Sequence, residues 1–199
     1  MTGFRRTATG VSARFTAVEA GILRTLVSQI AELVASDPGA DQDVTDPLAG
    51  GSGLPGGQVP EGPDDLADLL GQLRGPTSPP DDPVLARLLP DAYREDPEAA
   101  GEFRRYTEDS LREAKADTAR LVLATLPEGG GRVRLSAEEA QGWLRALNDV
   151  RLALGVRLEI TEDFEQQLAS MPAGDPRAGY FQVYDWLTYI QETLVRALW

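Results

Sequence analysis

The stretch LNDVRLALGVRLEI, residues 147–160, decides how the second half of this chain folds. Upstream of it, Ser136-Ala-Glu-Glu139 is a capping box. The Ser136 hydroxyl can accept from the Glu139 amide while the Glu139 carboxylate accepts from the Ser136 amide. Ala140, Trp143, Leu144, Leu147, Val150 and Leu154 then recur on one helical face. This spacing predicts a helix over 137–154. Gly155 is its expected stop, because the residue past a helix end often takes the left-handed conformation that glycine adopts freely. VRLEI (156–160) then reads as a strand, with RVRL (132–135) as its expected partner.

Arg151 interrupts that pattern. It falls inside the apolar face, roughly 40° from Leu147 on a helical wheel, with Asn148 at the edge and Asp149 pointing away. The last helix, expected from Tyr180 to Leu198, has a similar interruption. Tyr180, Val183, Tyr184, Leu187, Ile190, Leu194 and Leu198 make its stripe, and Gln191 stands within it. A long helix over about 97–126 begins at Pro97, a residue suited to a first turn. Its stripe runs through Phe103, Tyr106, Ser110, Ala114 and Leu121, with Asp117 between.

A buried guanidinium must meet acceptors. Arg151, Gln191, Asp117 and Asn148 are therefore expected to form an internal polar network, with Glu108 as a second choice of acid. The functional alternative is a pocket in which Arg151 holds a carboxylate or phosphate. No glycine-rich phosphate loop accompanies it, since EGGGR (128–132) lacks the Lys and Ser/Thr of a P-loop and reads as a turn. Trp186 and Tyr189 fall toward the outer side of the last helix, where exposed aromatics suit a protein partner or a homodimer.

At the N-terminus, FRRT and ARFT flank the small-residue turn ATGVS, a hairpin with Phe4 and Phe15 turned inward. Thr16-Ala-Val-Glu19 is another capping box, and Val18, Ile22, Leu26, Ile30 and Leu33 predict a helix over about 17–36. Gly, Pro and Asp then dominate. A segment of that composition buries too little apolar surface to offset its ordering entropy, so 37–82 is expected to be a mobile insertion in a single domain spanning 1–199. One island within it, DDLADLLGQL (64–73), reads as a helical turn or two, or as a docking peptide. Pro83 and Pro90 bound a short helix at 84–89, and Thr161 to Ala169 forms another. The fold class is mainly α, a compact multi-helix domain with two small β pairings: the N-terminal hairpin and a strand pair around the 137–154 helix.

Composition narrows the chemistry. With no cysteine and no histidine, the chain has no disulfide, thiol nucleophile, Ser-His-Asp triad or ordinary zinc site. Nothing in it points to a catalytic residue, a metal or a cofactor. No apolar run reaches the length of a membrane span, and no secretory signal opens the chain, so a cytoplasmic protein is expected. The net charge of −13 disfavours a nucleic-acid backbone binder, because phosphates repel an acidic surface. Residues 1–35 nevertheless carry Arg5, Arg6, Arg14 and Arg24 against Glu19 and Glu32. Arg5, Arg6 and Arg14 are the candidate contacts to DNA.

EFRRYTEDSLREAK, WLRALNDVRLALGVRLEI and YDWLTYIQETLVRAL resemble the AosR family of actinobacterial oxidative-stress transcriptional regulators. The family was long filed as a domain of unknown function, and its genes lie beside that of the ClpS protease adaptor. The resemblance covers both ordered regions and leaves out the segment near 37–80. It implies a regulator acting with an extracytoplasmic-function sigma factor or RNA polymerase, touching DNA indirectly or weakly. It also implies redox sensing by a cysteine pair near the N-terminus, which this chain does not have. The alternatives are an adaptor linked to ClpS-dependent proteolysis and a small-molecule sensor built on Arg151. A closed cavity at Arg151 and Gln191 separates the sensor from an interaction protein.

Overall fold

A computed structural model describes residues 3–35, 76–93, 95–172, 175 and 177–199. Strands β1 (Arg5–Thr7) and β2 (Gly10–Phe15) form the N-terminal hairpin, followed by α1 (Ala17–Ala35), α2 (Pro83–Leu88) and α3 (Pro97–Thr125). Then come β3 (Gly131–Leu135), α4 (Ala137–Arg157), α5 (Phe164–Ala169) and α6 (Ala178–Leu198). The protein is mainly α with a small antiparallel sheet, as the spacing predicts. Both capping boxes form: Thr16 with Glu19 ahead of α1, and Ser136 with Glu139 ahead of α4. Asp82 and Asp96 cap α2 and α3, each followed by the proline at the first helical position.

The strands pair differently from the sequence expectation. β3 joins the hairpin in the order β1-β2-β3, with Val11 opposite Leu135 and Ala13 opposite Val133. VRLEI is not a strand. Helix α4 runs through Gly155 to Arg157, and the chain stops at Glu159 instead, which takes φ 53°. The Ile160 amide donates to the Gly155 carbonyl and the Glu159 amide to that of Val156, the two bonds of a Schellman motif. A glutamate at the left-handed position hid the stop, and the earlier glycine imitated one. Gly130, with φ 75°, turns the chain into β3 where an added Cβ would lie 2.5 Å from the Thr16 carbonyl carbon. Only glycine fits there.

The inner face of the sheet and the helices enclose one core. Phe4 and Phe15 turn inward as expected and meet Trp143, with ring centroids 5.7 and 5.9 Å from the indole. The Trp143 indole N–H donates to the Thr125 hydroxyl at 2.8 Å, so α4's largest buried side chain is also tied to the end of α3. Leu23 and Val27 of α1, Val122 of α3, Leu147 of α4 and Leu187, Ile190 and Leu194 of α6 complete the interior. Residues 36–75, which hold most of the expected mobile insertion, lie outside the described residues. Residues 76–82 are placed, with the Thr77 carbonyl against Gly101 of α3.

Candidate functional site

The exposed face of the sheet is built by strand alternation. Val11, Ala13, Phe15, Val133 and Leu135 point into the core, so their neighbours point to solvent. The register sets Arg14 directly opposite Arg132, and Ser12 opposite both Arg134 and Arg5. Four arginines thus share one face, and Arg5, Ser12, Arg14 and Arg132 line a shallow depression of ≈ 220 Å³. Among the described residues, Arg5, Arg132 and Arg134 form no salt bridge. Like charges directly across a strand pair destabilise a sheet. The exposed face of the sheet is cationic in an otherwise acidic chain.

Arg6 does not join that face. Its guanidinium donates to the carbonyls of Ala197 and Leu198 at 3.0 and 2.8 Å, closing the C-terminus of α6. Of the three arginines proposed from sequence, Arg5 and Arg14 meet on the sheet and Arg6 serves the fold. Arg132 and Arg134 were missed. The signal lies in RVRL, whose alternation puts both arginines on one side; the expected pairing with VRLEI hides their meeting with β2.

The expected network is differently composed. Arg151 is half-buried between α4 and α6, donating to the Thr188 hydroxyl at 3.1 Å and to Gln191 Oε1 at 2.8 Å. Its guanidinium carbon also sits 5.4 Å from the centroid of the Tyr184 ring. Asp117 is elsewhere, exposed and paired with Arg120 at 2.8 Å. Asn148 is half-buried and makes no side-chain hydrogen bond among the described residues. Arg151 and Gln191 border an open depression of ≈ 290 Å³, not a closed cavity.

Among the described residues the buried acids are Asp149 and Glu108, the second choice of acid for Arg151, which pairs with other arginines instead. Glu108 is 3 % exposed and lies between Arg104 and Arg112. Arg104 also reaches Asp91 at 2.7 Å and the Leu89 carbonyl at 3.1 Å. Asp149, expected to point away, is buried and takes Lys115 Nζ at 2.7 Å. Burial pushes its carboxyl above the usual carboxylate range, and Lys115 offsets only part of that. Helix α3 therefore turns Arg104, Glu108, Arg112 and Lys115 toward its neighbours, while Phe103, Tyr106 and Leu111 of the same helix are exposed.

Trp186 is also corrected: it is buried, its ring set edge-on to Phe15 at 6.5 Å. Helix α6 packs on α4 and, through Trp186, on the sheet, and Leu187 is buried as well, so its buried face is wider than one stripe. Tyr189 remains exposed, at 37 %. Among the described residues no three acidic side chains converge into a metal-ligand set, and no helix is long and apolar enough to cross a membrane.

The profile of a family described as a domain of unknown function, DUF2017, matches residues 1–198. The chain belongs to this family. It is 40% identical over 148 residues to proteins of Mycobacterium tuberculosis (strain H37Rv) and Mycobacterium bovis, each named oxidative stress regulator AosR. The match covers 68% of this chain and 66% of each relative's length. The resemblance drawn from the three quoted segments is thereby confirmed. No solved structure matches the chain.

Proposed function

We propose that this DUF2017 protein is a cytoplasmic, non-enzymatic regulator of the oxidative-stress response that acts by binding, with the arginine face of the sheet as its contact surface. The observation that carries this reading is the meeting of Arg5, Arg14, Arg132 and Arg134 on one exposed face of a chain whose net charge is −13. The names of the mycobacterial relatives supply the process. The partner is an extracytoplasmic-function sigma factor, alone or within RNA polymerase, that offers an acidic surface to the sheet. Promoter DNA is engaged through that complex, because the isolated protein's acidic surface opposes the phosphate term that drives non-specific binding.

The test is a promoter-binding titration at physiological salt, with and without the sigma factor–polymerase complex, for the parent and for Arg132→Glu/Arg134→Glu. Binding by the parent only when the complex is present, and its loss in the variant, is the expected result. Tight and specific binding by the isolated protein overturns partner dependence. Unchanged binding by the variant removes the sheet from the interface.

A further inference from the structure

Among the described residues, only one edge of the three-stranded sheet is covered. Along β1 the Phe4 amide donates to the Thr193 hydroxyl at 3.0 Å and Arg6 reaches the end of α6, so that helix closes the outer edge of the hairpin. The backbone of β3 hydrogen-bonds to β2 alone among the described residues. The register shows which groups this leaves free. Thr7 and Gly10 close a two-residue turn and so exchange hydrogen bonds across the hairpin. Alternation then turns the peptide groups of Val11, Ala13 and Phe15 toward β3, where they meet Leu135, Val133 and Gly131. The outward Phe4 amide obeys the same alternation. Arg132 and Arg134 therefore present their N–H and C=O groups to the open edge, and their side chains are exposed on the arginine face.

An open edge is a template for another strand, and the charges beside it select which strand can pair. We propose that an extended acidic segment of the protein partner adds to β3 as a fourth, antiparallel strand, with carboxylates at alternate positions opposite Arg132 and Arg134. The inference rests on the reading of the arginine face as the contact surface and specifies how the partner attaches. Backbone hydrogen bonds to the two arginines hold the strand, and side chains two residues apart fall on one face, so the carboxylates meet both guanidiniums. A phosphodiester chain meets the guanidiniums but has no amide ladder for the edge, so the occupant is a polypeptide.

The test is amide hydrogen exchange followed by NMR on the full chain at low ionic strength, where charge pairing is least screened. The probe is a capped peptide of alternating Glu and Val. In the isolated protein, Arg132 and Arg134 should exchange at least about tenfold faster than Val133 and Leu135, whose amides bond to β2. Adding the peptide should slow both arginine amides at least about tenfold. The same peptide N-methylated at its glutamates keeps the charge but loses the N–H groups that face β3, and it should slow neither. Slow exchange at Arg132 and Arg134 in the isolated protein overturns the proposal. So does a probe that slows neither amide, or equal slowing by the two peptides. Shifts at the arginine side chains without slowed exchange overturn the fourth strand and leave a charge-only contact surface standing. Failure of the contact surface itself reads out separately, as unchanged partner binding by Arg132→Glu/Arg134→Glu.

Discussion

Arg112 of α3 donates to the carbonyl of Val34 at the end of α1, and it is one of four arginines that close the C-terminus of a different helix. Arg104 reaches the Leu89 carbonyl after α2, Arg24 the Leu123 and Leu126 carbonyls at the end of α3, and Arg6 those of α6. The last carbonyls of a helix have no partner within it and carry the negative end of its dipole, so a guanidinium satisfies both needs. In a chain this acidic, four of the nineteen basic side chains are committed to helix ends.

Glu108 makes two of those arginines tolerable in the interior, since it pairs with both Arg104 and Arg112. Glu108→Gln removes the buried carboxylate that both guanidiniums share, while Arg104 keeps Asp91. It should lower the unfolding free energy by about 3–5 kcal/mol, read by chemical denaturation. Asp117→Ala breaks only an exposed pair and should cost no more than about 0.5 kcal/mol. Equal costs for the two variants would falsify the buried-network account.

Arg151 should prove less critical than its place on the wheel suggests. Its partners are a hydroxyl, an amide and an aromatic ring, all neutral, and the site opens to solvent. Removing it strands no buried acid. Arg151→Ala is expected to cost about 1–2 kcal/mol, the scale of its lost hydrogen bonds and packing. A loss as large as that of Glu108→Gln would mean a carboxylate partner exists after all.

Two acids should shift stability with pH in opposite directions. Asp149's folded pKa is raised above 3.8, chiefly by burial, so the folded state holds its proton more tightly than the unfolded state does. That contribution is complete below the unfolded value and lost as pH rises through the folded one. Asp175 is held below 3.8 by the side-chain and backbone hydrogen bonds of Arg177, so its contribution is present above 3.8 and lost on acidification. As pH is lowered from 7 to 3.5, the parent should gain stability relative to Asp149→Asn and lose it relative to Asp175→Asn. Parallel denaturation series decide it; curves of the same sign refute one assignment.

Peroxide should not switch this chain through a thiol, because it has none. Its sulfur is confined to Met1 and Met171, and Met171 lies beyond α5 outside the core. Met171 is half-buried but outside the core, so oxidation there should leave the melting temperature within about 1 °C of the untreated protein. Mass spectrometry paired with a thermal scan checks this. A reversible sulfoxide at Met171 coupled to altered partner binding would be the contrary result.

The local signals in the sequence were the most legible. Capping boxes, prolines at first turns and the alternation of the hairpin each act over a few residues, and each appears where its chemistry requires. What escaped was set by tertiary contact. The wheel for α3 took Phe103 and Tyr106 as its inner face, yet the helix ends it meets need donors, so Arg104 and Arg112 turn inward with Glu108 between them. Asp149 was misplaced for the same reason, since Lys115 comes from another helix. Arg132 and Arg134 became visible only once β3 was known to pair with β2.

The arginine face offers a separation of stability from function. Arg14 and Arg132 stand directly opposite each other in the β2–β3 ladder, where two like charges work against the pairing. A sheet selected for stability alone would place an acid at one of the two positions. Arg132→Glu creates that opposite-charge pair. It should leave stability unchanged or raise it by about 0.2–1 kcal/mol, the usual range for such cross-strand pairs. The same substitution should weaken binding to an acidic partner, and the salt dependence of what remains should be shallower than the parent's. Urea denaturation and partner binding at two salt concentrations measure the two effects on one variant. If Arg132→Glu instead destabilised the sheet and left binding intact, the arginines would be part of the fold and the contact surface would lie elsewhere.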